Sequence, residues 1–234
     1  MPDRPQWFTA NEIFLMDSAQ LRAWRKSERE RLVAARLQVD RERLWQWCRA
    51  IDSHLEAGFP TLHRGIIGFC WPYKNEYDPR FLLRRLRERG AVTALPVVVA
   101  PRTPLLFREW HPGVRLVPGV YDIPFPADSP ELLPDKVLLP MNGFDRQGFR
   151  LGYGAGYFDR TLASLTQRPS VIGVTFELAA LHTIHPQPYD IPMDFVVTER
   201  GLYRRDGEVL EFLGVPQDGE RPLASPVCYL GQAK

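Results

Sequence analysis

Short apolar runs, each too brief for a helix, alternate along the chain with stretches of helical periodicity. GIIGFCW (65–71), ALPVVVA (94–100), KVLLP (136–140), SVIGVTF (170–176) and DFVVTE (194–199) are the strand candidates. Strands apolar on both faces belong inside a parallel sheet covered by helices on either side. The helices are legible between them. Asp17 or Ser18 caps a stretch over 19–37 in which Leu21, Trp24, Leu32 and Ala35 share a stripe. Asp40 caps a second, with Leu44, Trp47, Cys48, Ile51 and Leu55 at helical spacing, which stops before Gly58-Phe59-Pro60. Asp78-Pro79 opens a third, FLLRRLRER, and Gly90 ends it. LLFREW (105–110) reads as a shorter paired strand, 111–135 as a long loop, and LYRR-DG-EVLEF as a hairpin around Asp206-Gly207. This alternation predicts an α/β fold with a mainly parallel sheet.

At 234 residues the chain is read as a single domain over 1–234, with a core at about 19–213 and peripheral tails at 1–18 and 214–234. The net charge of +2 does not argue for a nucleic-acid partner. Basic residues crowd 22–49 and 80–89, which suits a small anionic ligand better than a polyanion. Cys48, Cys70 and Cys228 form no CxxC or zinc spacing and are read as thiols in a reducing compartment. No apolar run approaches the roughly 20 residues of a membrane span, and no signal-peptide core is present. The expectation is a cytoplasmic protein with no membrane partner. His182 and His185 have a ligand-like spacing, but Pro186 and Pro188 argue against a helix there.

The segment that carries chemistry is 136–165. KVLLP leads into MNGFDRQGFRLGYGAGYF, and the helical pattern DRTLASL follows. Gly152, Gly154 and Gly156 alternate just before that helix. Glycine permits positive φ and close ligand approach, and consecutive N–H groups can then line one concavity. The helix N-terminus behind them adds partial positive charge, so the segment reads as a phosphate cradle. It is neither a P-loop nor a dinucleotide fingerprint, and a flexible strand-to-helix turn is the competing reading. Arg150 can supply a bidentate fork for phosphate. Asp159 either suits the helix dipole or holds Mg²⁺. Arg25 and Arg29 stack one turn apart, as a solvated basic face or as a pair neutralised by phosphate; Arg22 and Lys26 have the same spacing. Glu76, in WPYKNEYDP, follows a strand directly, where ligands bind in open α/β sheets.

GFDRQGFRLGYGAGYFDRTL resembles the signature loop of the 5-formyltetrahydrofolate cyclo-ligase (methenyltetrahydrofolate synthetase) family, and the likeness runs from about residue 20 to about 200. The resemblance implies a three-layer α/β/α domain of the NagB/RpiA/CoA-transferase type. It implies an enzyme that uses ATP as co-substrate, with Mg²⁺, to convert 5-formyltetrahydrofolate into 5,10-methenyltetrahydrofolate, ADP and phosphate. ATP contacts would come from Arg25, Arg29, Arg150, Leu151, Gly152, Tyr153, Gly154, Ala155, Gly156, Tyr157 and Phe158, with Arg150 and Tyr157 catalytic. Folate contacts would come from Trp71, Glu76, Tyr121 and the loop residues Tyr153, Gly154, Ala155, Gly156 and Tyr157. Asp159 and Asp194 would hold the metal, with Asp190 a turn former. The partners implied are small molecules, and a monomer is expected. Phe158, Tyr153, Ala155, Tyr189 and Met141-Asn142 depart from the family's pattern. Rival readings are an ATP-dependent relative acting on another formylated amine, a non-catalytic folate- or nucleotide-binding protein, and RNA binding through 22–49. The small net charge weakens the last.

Overall fold

In the computed structural model, residues 16–216 are described, apart from the side chain of Tyr121. Cys228 lies outside them.

The chain opens with α1 (Ser18–Leu37), closed at its start by a capping box between Asp17 and Gln20. Asp40 caps α2 (Arg41–Gly58) through the Arg43 N–H. Then follow β1 (Ile66–Phe69), α3 (Arg80–Glu88), β2 (Val92–Val97) and β3 (Leu106–Trp110). The Pro- and Gly-rich stretch 111–135 is not loop throughout. It holds a small antiparallel pair, β4 (Leu116–Pro118) with β5 (Pro124–Pro126), joined by a 3-10 turn at Val120–Asp122. After β6 (Lys136–Pro140) come two further short strands, β7 (Gly143–Asp145) and β8 (Arg150–Leu151), and then α4 (Tyr157–Ser164). The described chain ends through β9 (Ser170–Val174), β10 (Ala180–Leu181), β11 (Phe195–Thr198) and the hairpin β12 (Gly201–Asp206) to β13 (Val209–Gly214).

The main sheet has the order β13-β12-β11-β9-β6-β1-β2-β3. The run β11-β9-β6-β1-β2 is parallel, while β3, β12 and β13 pair antiparallel at the edges. The predicted parallel sheet is therefore the centre of a mixed one. Successive residues split between its faces as the pleat requires. Leu138, Ile172, Phe195 and Val197 pack under Ile51 and Leu55 of α2 and Leu82, Leu83 and Leu86 of α3. Val137, Leu139, Val171 and Val196 pack against Phe144 of β7 and Leu162 of α4. Helices thus cover one face, and α4 with the β10-β7-β8 sheet covers the other. Leu32 of α1 packs with Leu151, Leu181 and Ile184, which docks α1 on that second layer.

From β1 the chain moves one way to β2 and later the other way through β6, β9 and β11. The strand order reverses between β1 and β6. A crevice opens outside the carboxyl ends of strands at such a point. The loop after β1 carries Trp71 and Glu76, and the segment after β6 leads into the glycine loop.

Candidate active site

The glycine loop is held from α1. Gly154 has φ +98° and Gly156 φ +66°, both in the region glycine favours. Gly156 is the N-cap of α4 and no side chain caps that helix, so its first N–H groups face outward. A Cβ at Gly152 would meet nothing within 4 Å, so steric crowding does not require glycine there. What glycine supplies at that position is room for a ligand to approach the backbone.

Arg29 donates from Nε to the Gly152 carbonyl at 2.7 Å, and its guanidinium lies 3.2 Å from where a Cβ on Gly154 would sit. Burial and the neighbouring Arg25 lower its pKa, against the pull of Asp190. On the other side, Arg160 donates to the Ala155 carbonyl and lies over the Tyr157 ring, 5.4 Å from its centroid. Neither Arg29 nor Arg160 has a carboxylate partner among the described residues. Two guanidinium groups without an ion-pair partner among the described residues, uncapped helix N–H groups and positive-φ glycines converge on one loop. That arrangement suits an anion with several oxygens.

Arg25 ties down a neighbouring segment. It donates to the carbonyls of Ile184 at 3.1 Å and His185 at 2.9 Å, and to Asp190 at 2.6 Å. Asp190 also accepts from the Gln187 N–H, so it is both turn former and counter-ion. The Arg25 guanidinium is thus committed to the 184–190 segment, beside Arg29.

Arg150 departs from the expectation of a phosphate fork. It is buried, with Nη1 on the Ile191 carbonyl at 2.8 Å and Nη2 on Asp159 Oδ1 at 2.8 Å. Its fork is spent inside the protein, and its role is to hold Asp159. Leu151 and Phe158 likewise point into the core, so only their backbone can meet a nucleotide. Ala155 and Tyr157 remain on the loop surface, exposed and half-buried.

The two carboxylates expected to hold the metal both accept hydrogen bonds from the protein. Asp159 accepts from Arg150 and from the Ile191 N–H, both on Oδ1. Asp194 immediately precedes β11 and sits at the amino end of the parallel strands, away from the crevice. One of its oxygens takes Arg168 at 3.0 Å and the other the Val171 N–H at 2.8 Å. It ties β9 to β11, with both carboxylate oxygens engaged by protein donors. Among the described residues no group of three or more His, Cys, Asp or Glu side chains could hold a metal ion.

On the β1 side, Lys74 (φ 49°) and Asn75 (φ 57°) are consecutive left-handed residues in the turn that presents Glu76. Such strain persists where the surroundings enforce it. Here Arg36 does so, donating from Nε to the Lys74 carbonyl at 2.8 Å. Glu76 is buried and accepts from the Tyr153 hydroxyl at 2.9 Å and the Tyr73 N–H at 3.0 Å. Burial raises its pKa, and Arg36, Tyr153 and the Tyr73 N–H oppose that. Trp71 is half-buried, lies on the core and carries the Arg80 guanidinium 4.4 Å from its ring centroid. Tyr121 lies in the Val120–Asp122 turn, and its side chain is outside the described part.

The structure thus brings Arg29, the glycine loop, Tyr157, Tyr153 and Glu76 together, and adds Arg36, Arg160 and Asn142. Arg36 continues the stripe of Arg25, Arg29 and Leu32, a signal present in the spacing. Arg160 is a cation near the N-terminus of a helix, where the dipole disfavours it, and that cost was the available signal. Asn142 lies just past β6, and its buried carboxamide has no hydrogen-bond partner.

A family model described as the 5-formyltetrahydrofolate cyclo-ligase family matches residues 21–199. A 5-formyltetrahydrofolate cyclo-ligase of Mycolicibacterium smegmatis is 35% identical over 140 residues, 56% of this chain and 72% of that protein. One from Escherichia coli is 31% identical over 146 residues, 59% of this chain and 80% of that protein. The solved structure of Aquifex aeolicus 5,10-methenyltetrahydrofolate synthetase aligns with TM-score 0.68 and 25% identity, covering 81% of this chain and 97% of that one. A Mycoplasma pneumoniae 5,10-methenyltetrahydrofolate synthetase shares the fold at TM-score 0.62 and 20% identity, covering 75% of this chain and 98% of that one.

Proposed function

The chain belongs to the 5-formyltetrahydrofolate cyclo-ligase family, and from that premise we propose that it converts 5-formyltetrahydrofolate to 5,10-methenyltetrahydrofolate with consumption of ATP and release of ADP and phosphate. One observation carries the reading. Arg29 and Arg160, which form no ion pair among the described residues, flank a glycine loop that joins a buried carboxyl through Tyr153.

The chemistry matches this division. The formyl carbon on N5 is amide-like and a poor electrophile. Its oxygen attacks the γ-phosphorus, a new O–P bond forms, and ADP leaves with the electrons of the old one. N10 then attacks the activated carbon, phosphate departs with the C–O electron pair, and the N10 proton goes to solvent. These steps need neutralised charge and alignment, and no protein nucleophile.

Arg29, Arg160, the loop amides and the open N–H groups of α4 hold the triphosphate. Glu76 accepts an N–H of the reduced folate and Trp71 walls that side, and the folate contact expected of Tyr121 from the family resemblance belongs to the same reading. Mg²⁺ would supply charge neutralisation on the phosphates. Asp159 is the carboxylate that fits it, because its hydrogen bonds fall on Oδ1, and Mg²⁺ commonly takes one or two carboxylates plus phosphate oxygens. The three-layer arrangement of the NagB/RpiA/CoA-transferase type and a cytoplasmic location belong to the same reading. Cys48 and Cys70, both free, support the latter.

The test follows methenyl-folate absorbance with 5-formyltetrahydrofolate, ATP and Mg²⁺. Product is expected only when all three are present, and an equal rise without nucleotide rejects the reading. Arg29→Ala is expected to raise the ATP concentration at half-maximal rate by roughly tenfold or more, as loss of a charged hydrogen bond predicts. The folate requirement should move less.

A further inference from the structure

The loop assigned to ATP and the carboxyl assigned to folate share one hydrogen bond. Tyr153 stands between Gly152 and Gly154, and its hydroxyl donates to Glu76 Oε1 at 2.9 Å. Arg36 Nη2 donates to the same hydroxyl at 3.2 Å and lies 3.9 Å from the same carboxylate oxygen. The two ends differ in rigidity. Glu76 is buried, pinned by the Tyr73 N–H and by a turn that Arg36 holds. Tyr153 is 49% exposed and rides on a loop whose next residue, Gly154, has φ +98°. The Tyr153 ring meets Tyr73 edge-on at 5.8 Å, so the tether has an apolar part as well as a polar one.

Resting on the functional reading above, we propose that Tyr153 is a positioning residue that couples the two substrate sites: folate held by Glu76 tightens the loop's grip on ATP, and ATP tightens the grip on folate. A glycine loop loses much conformational freedom when it closes on a ligand. A ligand that fixes Glu76 also fixes the far end of the Tyr153 bond, so part of that ordering is complete before the second ligand arrives. An N–H donor from folate favours the ionised carboxyl, and a hydroxyl bonds a carboxylate more strongly than it bonds a neutral acid. Both effects have the same sign, and linkage makes the coupling reciprocal.

Calorimetry on the full chain tests this with the non-hydrolysable β,γ-imido analogue of ATP and Mg²⁺, measured with and without saturating 5-formyltetrahydrofolate. For the wild type, the analogue is expected to bind roughly fivefold more tightly when folate is present. Tyr153→Phe keeps the ring and its contact with Tyr73 and removes the bond to Glu76. That variant is expected to melt somewhat lower, because the buried carboxyl loses a donor, and to bind the analogue about equally with and without folate. A merely structural tyrosine would alter stability or the single-ligand affinities and leave the ratio unchanged. An unchanged ratio in Tyr153→Phe, or no ratio in the wild type, overturns the coupling while the functional reading stands. No folate binding by the wild type overturns that reading and the coupling with it.

Discussion

Asn142 is 1% exposed, and neither its side-chain oxygen nor its nitrogen finds a partner among the described residues. A buried amide left unpaired costs about 1–3 kcal/mol. Alanine carries no polar atom and adds no bulk, so Asn142→Ala is expected to leave the unfolding free energy unchanged or raised by up to about 1 kcal/mol in urea titration, where truncation of a satisfied buried amide would lower it. Glu76 makes a prediction of opposite character. Burial lifts its pKa above the ordinary glutamate value. The folded state therefore binds that proton more tightly than the unfolded chain does. The resulting stability is complete below the unfolded pKa and is lost as pH rises through the folded one. Glu76→Gln removes this dependence. The stability difference, wild type minus variant, is expected to be largest below about pH 4.3, where an unfolded glutamate titrates, and to fall as pH rises above it in urea titrations.

At the scale of elements, the longer pieces were legible because their signals are local. Asp17 and Asp40 cap α1 and α2, and β6 spans the residues its apolar run marked. The strands β7, β8 and β10 were not, since runs of two or three residues carry no period. The terminal hairpin was legible from Asp206-Gly207, although its partner strand runs on to Gly214. Of the candidate site, the glycines stood out by spacing, while the register of Arg29 and the folate role of Glu76 rested on the family resemblance. The commitments of Arg150 and Asp194 were not legible, because their partners Ile191, Asp159, Arg168 and Val171 come together only in the fold. The glycine loop itself offers a test. Alanine at 154 would be forced to φ +98° with its Cβ 3.2 Å from the Arg29 guanidinium. Left-handed backbone costs about 1–2 kcal/mol for an L-residue, so Gly154→Ala is expected to raise the ATP requirement by roughly tenfold. Its thermal midpoint should fall by a few degrees as well, because the backbone strain is carried by the folded state whether or not the side chain is exposed.

At the scale of the whole molecule, the site depends on how closely the second layer rests on the sheet. Gly173 of β9 lies between β6 and β11 and faces Met141 and Met193. A Cβ there would stand 2.4 Å from the Met193 sulfur and 2.7 Å from the Met141 methyl. Both methionines are fully buried, at 0% and 1% exposure, so their flexible ends have little room to turn away. Met141 begins the segment that leads from β6 to the glycine loop, and the Met193 N–H bonds the Gly148 carbonyl in the β7–β8 turn. Met193 also adjoins Asp194, the residue that locks β11 to β9. A methyl group at 173 therefore presses on the start of the catalytic segment and on the strap that closes the sheet. Overpacking of this kind costs about 1–3 kcal/mol. In a chain of this size each kcal/mol moves the melting temperature by about 2–4 °C. Gly173→Ala is expected to lower that temperature accordingly, measured by circular dichroism, and an unchanged midpoint would mean that the two layers can part at this point without loss.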